Sequence, residues 1–385
     1  MGSVRFEFRR PQRLAALLLT LFALQCLWVV SRQHLTEKDF RYAQCGRELW
    51  EKPSPLVGYL TSCGNIRDGT FAYRAAGLPL TLERLLAGEP RSVTPWELEH
   101  LVWNVLLLLR LPFILFGVWL GGAIWWVSRR LFGNEGGFLA LGLYCFSPAV
   151  IVNCVRPNND ILAAWGLYGV IYTSIGMAHT MQAPRKKWIP RLALFALALG
   201  LTATAHVIAA ILGLLLAFCF MLYLCERRRA DVPLVIAGVS FAAVLILLAS
   251  YTFNLDAFSY VFQSADAFLW LSTNGLHRLL LNLPEAPTAI ALAASLLLYL
   301  MHRHSRYFGN TAPLLTALLL LPLVTTGVHA QPWFWALPFL LTFIGGVFAD
   351  MLEGPRRRLF LWLTGAVLVA QTLLCLVDLP LLVRG

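Results

Sequence analysis

The stretch RKKWIPRLALFALALGLTATAHVIAAILGLLLAFCFMLYLCERRR, Arg185 to Arg229, decides the fold. It holds two apolar blocks, about 190–204 and 206–224, joined at Thr202-Ala203-Thr204-Ala205-His206. Crossing roughly 30 Å of hydrocarbon takes about 17–25 apolar helical residues. Two such blocks in a row bring the chain back to the side it left. Arg185, Lys186, Lys187 and Arg191 open the pair and Arg227, Arg228 and Arg229 close it. Basic clusters at both outer ends are what a cytoplasmic entrance and exit require. The first block is short and can pair with the second as a broken helix.

The same grammar extends over the chain. Further apolar blocks lie at about 13–31, 111–131, 137–154, 161–179, 233–253, 286–302, 312–328, 332–350 and 359–379, about eleven in all. Lipid offers no partner for open backbone groups, so each must be helical. The composition agrees: 58% of residues are hydrophobic and 13% charged, where a soluble domain carries about 25% charged residues. The expectation is an all-α integral membrane protein, a single polytopic domain over 1–385 with about eleven transmembrane helices. The apolar stretch after the basic N-terminus is long for a secretory signal and lacks a small-x-small cleavage site, so it reads as a retained first helix.

Orientation follows from the arginines. Arg5, Arg9, Arg10 and Arg13, then Arg129 and Arg130, then Arg303 and Arg306, then Arg356 to Arg358 fall on the same side as the clusters above. That side is expected to be the cytoplasm, with the N-terminus on it. The net charge of +11 is thereby spent on topology, and a basic stripe suited to nucleic acid is not indicated. The opposite side has two longer loops, 32–110 and 254–285. The first holds nine of the 20 carboxylates. In it, Thr94 to Leu109 reads as an interfacial amphipathic helix through Trp96, Leu98, Leu101, Val102 and Val105. The second has an amphipathic segment with Phe258, Phe262, Phe268 and Trp270. Cys26, Cys145, Cys219 and Cys375 lie in apolar stretches and read as core. Cys45 and Cys63 share the first loop, where a disulfide is compatible with an oxidising compartment.

With no separate soluble domain, chemistry must sit in the membrane or on those two loops. No P-loop, HExxH, GxSxG or dinucleotide fingerprint is present. Three features stand out. Glu37-Lys38-Asp39-Phe40-Arg41-Tyr42 follows the first span, where a carboxylate can take a proton from an acceptor hydroxyl. Arg156-Pro157-Asn158-Asn159-Asp160 forms a short turn, with Asp160 as a first-turn acid. His206, Arg278 and His329 are isolated polar residues at loop-side ends of spans, where they can hold a phosphate.

These residues resemble the GT-C class of lipid-dependent glycosyltransferases, which includes protein O-mannosyltransferases and aminoarabinose transferases. The resemblance runs over about 10–230 and more loosely beyond. It rests on Asp39 and Tyr42 with Gly46-Arg47-Glu48-Leu49, on Arg110-Leu111-Pro112 and Arg129-Arg130-Leu131-Phe132-Gly133, on Ser147-Pro148 with Arg156 to Asp160, and on Gly200-Leu201 leading to His206. Lys38 stands where many members carry the first acid of an Asp-Glu pair, and His206 stands where many carry lysine.

The resemblance implies an inverting transfer of a sugar from a polyprenyl-phosphate donor to a glycan, lipid or protein acceptor on the extracytoplasmic side. It implies Asp39 as catalytic base, Asp160 as a supporting acid, and Arg156, His206, Arg278 and His329 as phosphate ligands. Glu37 and Tyr42 belong to the acceptor side. No cofactor is obligatory; a divalent metal serves some relatives and not others. A bacterial inner membrane fits best. The competing readings are a lipid or solute transporter and an inactive membrane scaffold. A transporter calls for charges near mid-span and inverted repeats, whereas here the charges sit at span ends.

Overall fold

The computed structural model describes residues 11–63, 66, 69–87, 102–184, 188–263, 269–273, 277, 283–325 and 331–383. Helix dominates. The first span is α1 (Pro11–Val30). The first loop contributes α2 (Glu37–Glu51) and α3 (Phe71–Ala87). Then follow α4 (Val102–Cys145), α5 (Pro148–Cys154), α6 (Asp160–Thr180), α7 (Trp188–Ala205), α8 (Val207–Leu224) and α9 (Val232–Ser250). The second loop contributes α10 (Leu255–Gln263) and strand β1 (Leu269–Leu271). The C-terminal part holds α11 (Ala286–Met301), α12 (Phe308–Leu320), strand β2 (Leu323–Thr325), α13 (Pro332–Glu353) and α14 (Arg357–Leu382).

Among the described residues, nine helical stretches are long and apolar enough to cross a membrane, with Phe308–Leu320 as a shorter apolar helix. Ten of the eleven predicted blocks fall on helix; the block at 312–328 is helical only to Leu320, turns into strand at Leu323–Thr325, and leaves the described residues at 326. Two others are cut differently from the expectation. The blocks at 111–131 and 137–154 are joined in α4, which bends at Gly133. Gly133 has φ +79° and ψ −176°, a conformation that costs a residue with a Cβ about 1–3 kcal/mol. The block at 137–154 is then broken between Cys145 and Pro148. Ser147 caps α5, its side chain accepting from Val150 N, and Pro148 occupies the first turn, where its missing N–H costs nothing.

The burial pattern orders the bundle. In α13, 94% of the apolar window is inside the protein, while in α14 only 11% is. A helix apolar all round belongs in the centre, and α13 packs there against α4, α6 and α12. Its Trp335, Phe339 and Phe343 are fully enclosed. The outward apolar face of α14, with Trp362 and Val377 exposed, is left for lipid.

The first loop is a helical hairpin. Gly46 on α2 and Gly77 on α3 lie backbone to backbone, so close that a Cβ at either would strike the other helix. A disulfide, Cys45–Cys63, ties α2 to the segment ahead of α3. The expected amphipathic helix at 94–109 is corrected in its second half. Residues 102–109 belong to α4, and Val105, Leu106 and Leu109 are buried in the bundle instead of lying on the interface. Its first half, with Trp96, Leu98 and Leu101, lies outside the described residues. In the second loop, Phe258 packs edge-on against Tyr251, ring centroids 6.3 Å apart. Phe268 and the side chains of Phe262 and Trp270 lie outside what is described. β1 and β2 form an antiparallel pair with Trp270 opposite Val324, joining that loop to the approach to α13. Of the cysteines read as core, Cys26, Cys145 and Cys375 are buried; Cys219 is exposed on the apolar outside of α8.

Candidate active site

Asp39 sits in the first turn of α2, and Thr36 and Asp39 form a reciprocal capping box. Asp39 N donates to Thr36 Oγ1 (3.3 Å). Thr36 N and Oγ1 donate to Asp39 Oδ2 at 2.9 and 2.8 Å. Arg110 Nη2 donates to the same Oδ2 at 2.6 Å, and both side chains are 1–2% exposed. Arg110 Nη1 also reaches Gln33 Oε1 at 2.5 Å. A buried carboxylate without a compensating charge is costly, and Arg110 supplies that charge. Among the described residues the hydrogen bonds to this carboxylate fall on Oδ2, which leaves the lone pairs of Oδ1 for another donor.

The second centre surrounds Asp160 at the head of α6. Gln331 N and Trp335 Nε1 donate to Oδ1 at 2.8 and 2.9 Å. His206, the extended residue between α7 and α8, brings Nε2 to 3.8 Å of the same oxygen. Its ring lies 5.2 Å from that of Trp335, and Nε2 has no hydrogen-bond partner among the described residues. The turn before α6 is built by its asparagines. Asn158 Oδ1 accepts from Ile161 N (3.1 Å), while its Nδ2 donates to Asn153 O and Arg156 O.

The start of α3 links the two centres. Ala72 N donates to Asn159 Oδ1 (3.2 Å). One residue on, Tyr73 stacks on Tyr42 with ring centroids 4.3 Å apart. Gly69, at φ +94°, lies against the carbonyls of Thr204 and Ala205, next to His206. A side chain at Gly69 would push the first loop off the α7–α8 break.

Beside this junction is a cavity of about 610 Å³ between α3, α4, α7 and α9. Phe71, Leu78, Leu111, Leu115, Phe116 and Trp119 belong to its apolar wall. Leu115 and Trp119 are exposed to the outside of the bundle. Arg74 is the charged residue in the lining. Its Nε donates to Ser250 O (2.8 Å), its guanidinium lies 5.0 Å from the Trp50 ring, and Nη2 is buried without a partner among the described residues. Burial holds this guanidinium below its ordinary pKa.

Of the predicted site residues, Asp160 and His206 come within 3.8 Å of each other, and Tyr42 packs on Tyr73 of α3 while Asp39 lies one turn earlier on α2. Glu37 is exposed on the first turn of α2. Arg156 is half-buried in the turn before α6, with no side-chain partner among the described residues. Arg278 and His329 lie outside the described residues. Arg74 and the pairing role of Arg110 were missed. Arg110 had been noticed as part of an Arg-Leu-Pro motif, but its partner is distant in sequence. Arg74 carries no motif and is identified only by the cavity. Among the described residues no group of three or more His, Cys, Asp or Glu is placed to hold a metal ion.

By sequence alone the chain matches no protein-family model and none of the curated proteins. Its architecture is nevertheless shared with solved structures. ArnT from Cupriavidus metallidurans in the apo state matches with TM-score 0.65 at 14% identity, over 90% of this chain and 61% of that one. ArnT bound to undecaprenyl phosphate matches with TM-score 0.64 at 15% identity, over 96% and 72%. The archaeal oligosaccharyltransferase AglB from Archaeoglobus fulgidus, in complex with an inhibitory peptide and a dolichol-phosphate, matches with TM-score 0.62 at 10% identity, over 95% and 56%. The chain thus spans about three-fifths of the length of apo ArnT and AglB. The helical membrane bundle, shared with ArnT and AglB along almost the whole chain, has the GT-C fold.

Proposed function

We propose that the protein is a membrane glycosyltransferase that moves a sugar from a polyprenyl-phosphate donor to an acceptor hydroxyl on the extracytoplasmic side. The observation that carries this is the cavity: an apolar trough open to the side of the bundle, with one unpartnered guanidinium nitrogen on Arg74. An isoprenoid chain suits the trough, and a phosphate suits the guanidinium. That ArnT has been solved with undecaprenyl phosphate and AglB with dolichol-phosphate supports the choice of donor class.

In this reading Asp39 is the base. Its free Oδ1 accepts the proton of the acceptor hydroxyl while the hydroxyl oxygen attacks C1 of the sugar. The C1–O bond to phosphate breaks from the opposite face, so the configuration inverts, and polyprenyl phosphate leaves with the bonding electrons. Arg74, Arg156 and His206, with Arg278 and His329, meet the charge that develops on the phosphate. Asp160 fixes the head of α13 beside His206 and so shapes the phosphate pocket. Glu37 and Tyr42 stand where the acceptor approaches. No step requires a metal.

The arginine clusters support a cytoplasmic N-terminus, and the Cys45–Cys63 bond supports an oxidising space around the first loop. A bacterial inner membrane satisfies both. The test is a transfer assay on purified protein in lipid with a panel of radiolabelled polyprenyl-phosphate sugars. Release of label from one donor class is expected. A folded protein that releases label from none of them overturns the reading.

A further inference from the structure

The two loops on the active-site side are fastened together beyond the cavity. Asn254 Nδ2 donates to Ser54 O (2.8 Å) and Gly58 O (2.9 Å). Gly58 N donates to Asp256 Oδ2 (2.9 Å), and Leu255 N donates to Leu56 O (3.2 Å). Asn254 itself is fully buried. This clasp holds residues in conformations they do not choose alone. Leu56, Thr252 and Phe253 have φ of 70°, 54° and 55° and are the non-glycine residues with positive φ among those described. A β-branched and an aromatic residue persist there only where their surroundings enforce it.

The clasp exposes apolar side chains. Leu56, Val57 and Tyr59 are 65%, 71% and 74% exposed, and Leu255 and Phe253 are 62% and 50% exposed. Exposed apolar side chains gathered on one clasp, with Leu56 and Leu255 joined through their backbones, mark an interaction surface. Its location identifies the partner. α9 has 19 residues, a length of roughly 28 Å at 1.5 Å per residue, enough to span the hydrocarbon of a bilayer. The outward face of α9, with Leu234, Phe241 and Leu245 exposed, faces lipid and runs straight into Phe253 and Leu255. Lys52 is exposed on the same loop, as a cation near lipid headgroups should be, and Tyr59 is a residue type that favours the interface.

We propose that Leu56, Val57, Tyr59, Phe253 and Leu255 form a lipid-inserted foot that docks both loops onto the bilayer surface. Ala249 and Ser250 line the cavity, and Arg74 Nε and Thr70 Oγ1 both donate to Ser250. The foot therefore sets the depth at which the cavity mouth meets the leaflet. A lipid entering sideways finds Arg74 at headgroup level. The inference rests only on the chain crossing a bilayer and not on the transferase reading.

The test is collision-based depth measurement with nitroxide labels on the full chain. Labels go on Val57→Cys and Leu255→Cys in a Cys219→Ser background, in nanodiscs of phosphatidylethanolamine and phosphatidylglycerol, with no sugar donor or acceptor added. Phe241→Cys is the lipid reference and Lys38→Cys the water reference. Oxygen-to-nickel-chelate accessibility ratios close to that of Phe241, and several-fold above that of Lys38, are expected at both positions. Ratios equal to that of Lys38 overturn the proposal. Low accessibility to both reagents, rising as two-copy discs are replaced by one-copy discs, assigns the patch to a second copy and also overturns it.

Discussion

Asp39 and Arg110 meet at 2.6 Å inside the protein, each side chain 1–2% exposed. The pair joins the first loop to the second span. Removing one partner of a buried pair strands the other charge and costs about 3–5 kcal/mol. Arg110→Met should therefore lower thermal stability in nanodiscs strongly. The double variant Asp39→Leu/Arg110→Met should recover most of that stability and still transfer no sugar. Recovery of both would make the pair structural only.

Arg74 is expected to be the donor-phosphate contact. A hydrogen bond to a charged group contributes about 1.5–3 kcal/mol, so Arg74→Met should weaken binding of undecaprenyl phosphate roughly ten- to a hundredfold. Arg74→Lys should retain part of the affinity. Trp50 and Trp119 line the cavity, and tryptophan fluorescence on titration with the lipid reads the effect. Equal affinity in wild type and Arg74→Met removes Arg74 from the site.

The Cys45–Cys63 bond closes a loop with a sequence separation of 18. Such a cross-link stabilises by about 3 kcal/mol, chiefly through the unfolded chain. Cys45→Ser/Cys63→Ser should make the first loop sensitive to protease at temperatures where the spans keep their helicity. Circular dichroism and limited proteolysis, run side by side, separate the two responses.

Gly46 and Gly77 allow α2 and α3 to touch through their backbones. Overpacking of this kind costs about 1–3 kcal/mol. Gly77→Val should force the helices apart and carry Tyr42 off Tyr73, and Asp39 with it. The expected result is folded, inserted protein with transfer reduced at least tenfold in kcat, a loss of about 1.4 kcal/mol or more in transition-state stabilisation. Undiminished transfer would separate the hairpin from catalysis.

The membrane architecture was legible because lipid removes choices. Apolar length dictates helix over most of the predicted blocks, the end of the block at 312–328 being strand instead. Asp160 at the head of α6 and His206 at the α7–α8 break were readable for the same local reasons, a first-turn acid and an interrupted apolar run. What sequence hid is contact between distant segments. Nothing near Asp39 names Arg110, nothing near Arg74 announces a cavity, and the Asn254 clasp spans loops about 200 residues apart. The helix at 94–109 was misread because its apolar residues, periodic as on an interfacial helix, instead pack into the bundle from 105 onward. Periodicity reports that a face is apolar, not what covers it.

The most direct measurement compares wild type with Asp39→Asn in the radiolabelled transfer assay, with insertion and thermal stability of both proteins verified. The account predicts label leaving the polyprenyl donor in the wild type, and at least a hundredfold slower release in the variant, in line with loss of a general base. Full transfer by well-inserted Asp39→Asn would contradict it and would leave the carboxylate as a cap and ion-pair partner alone.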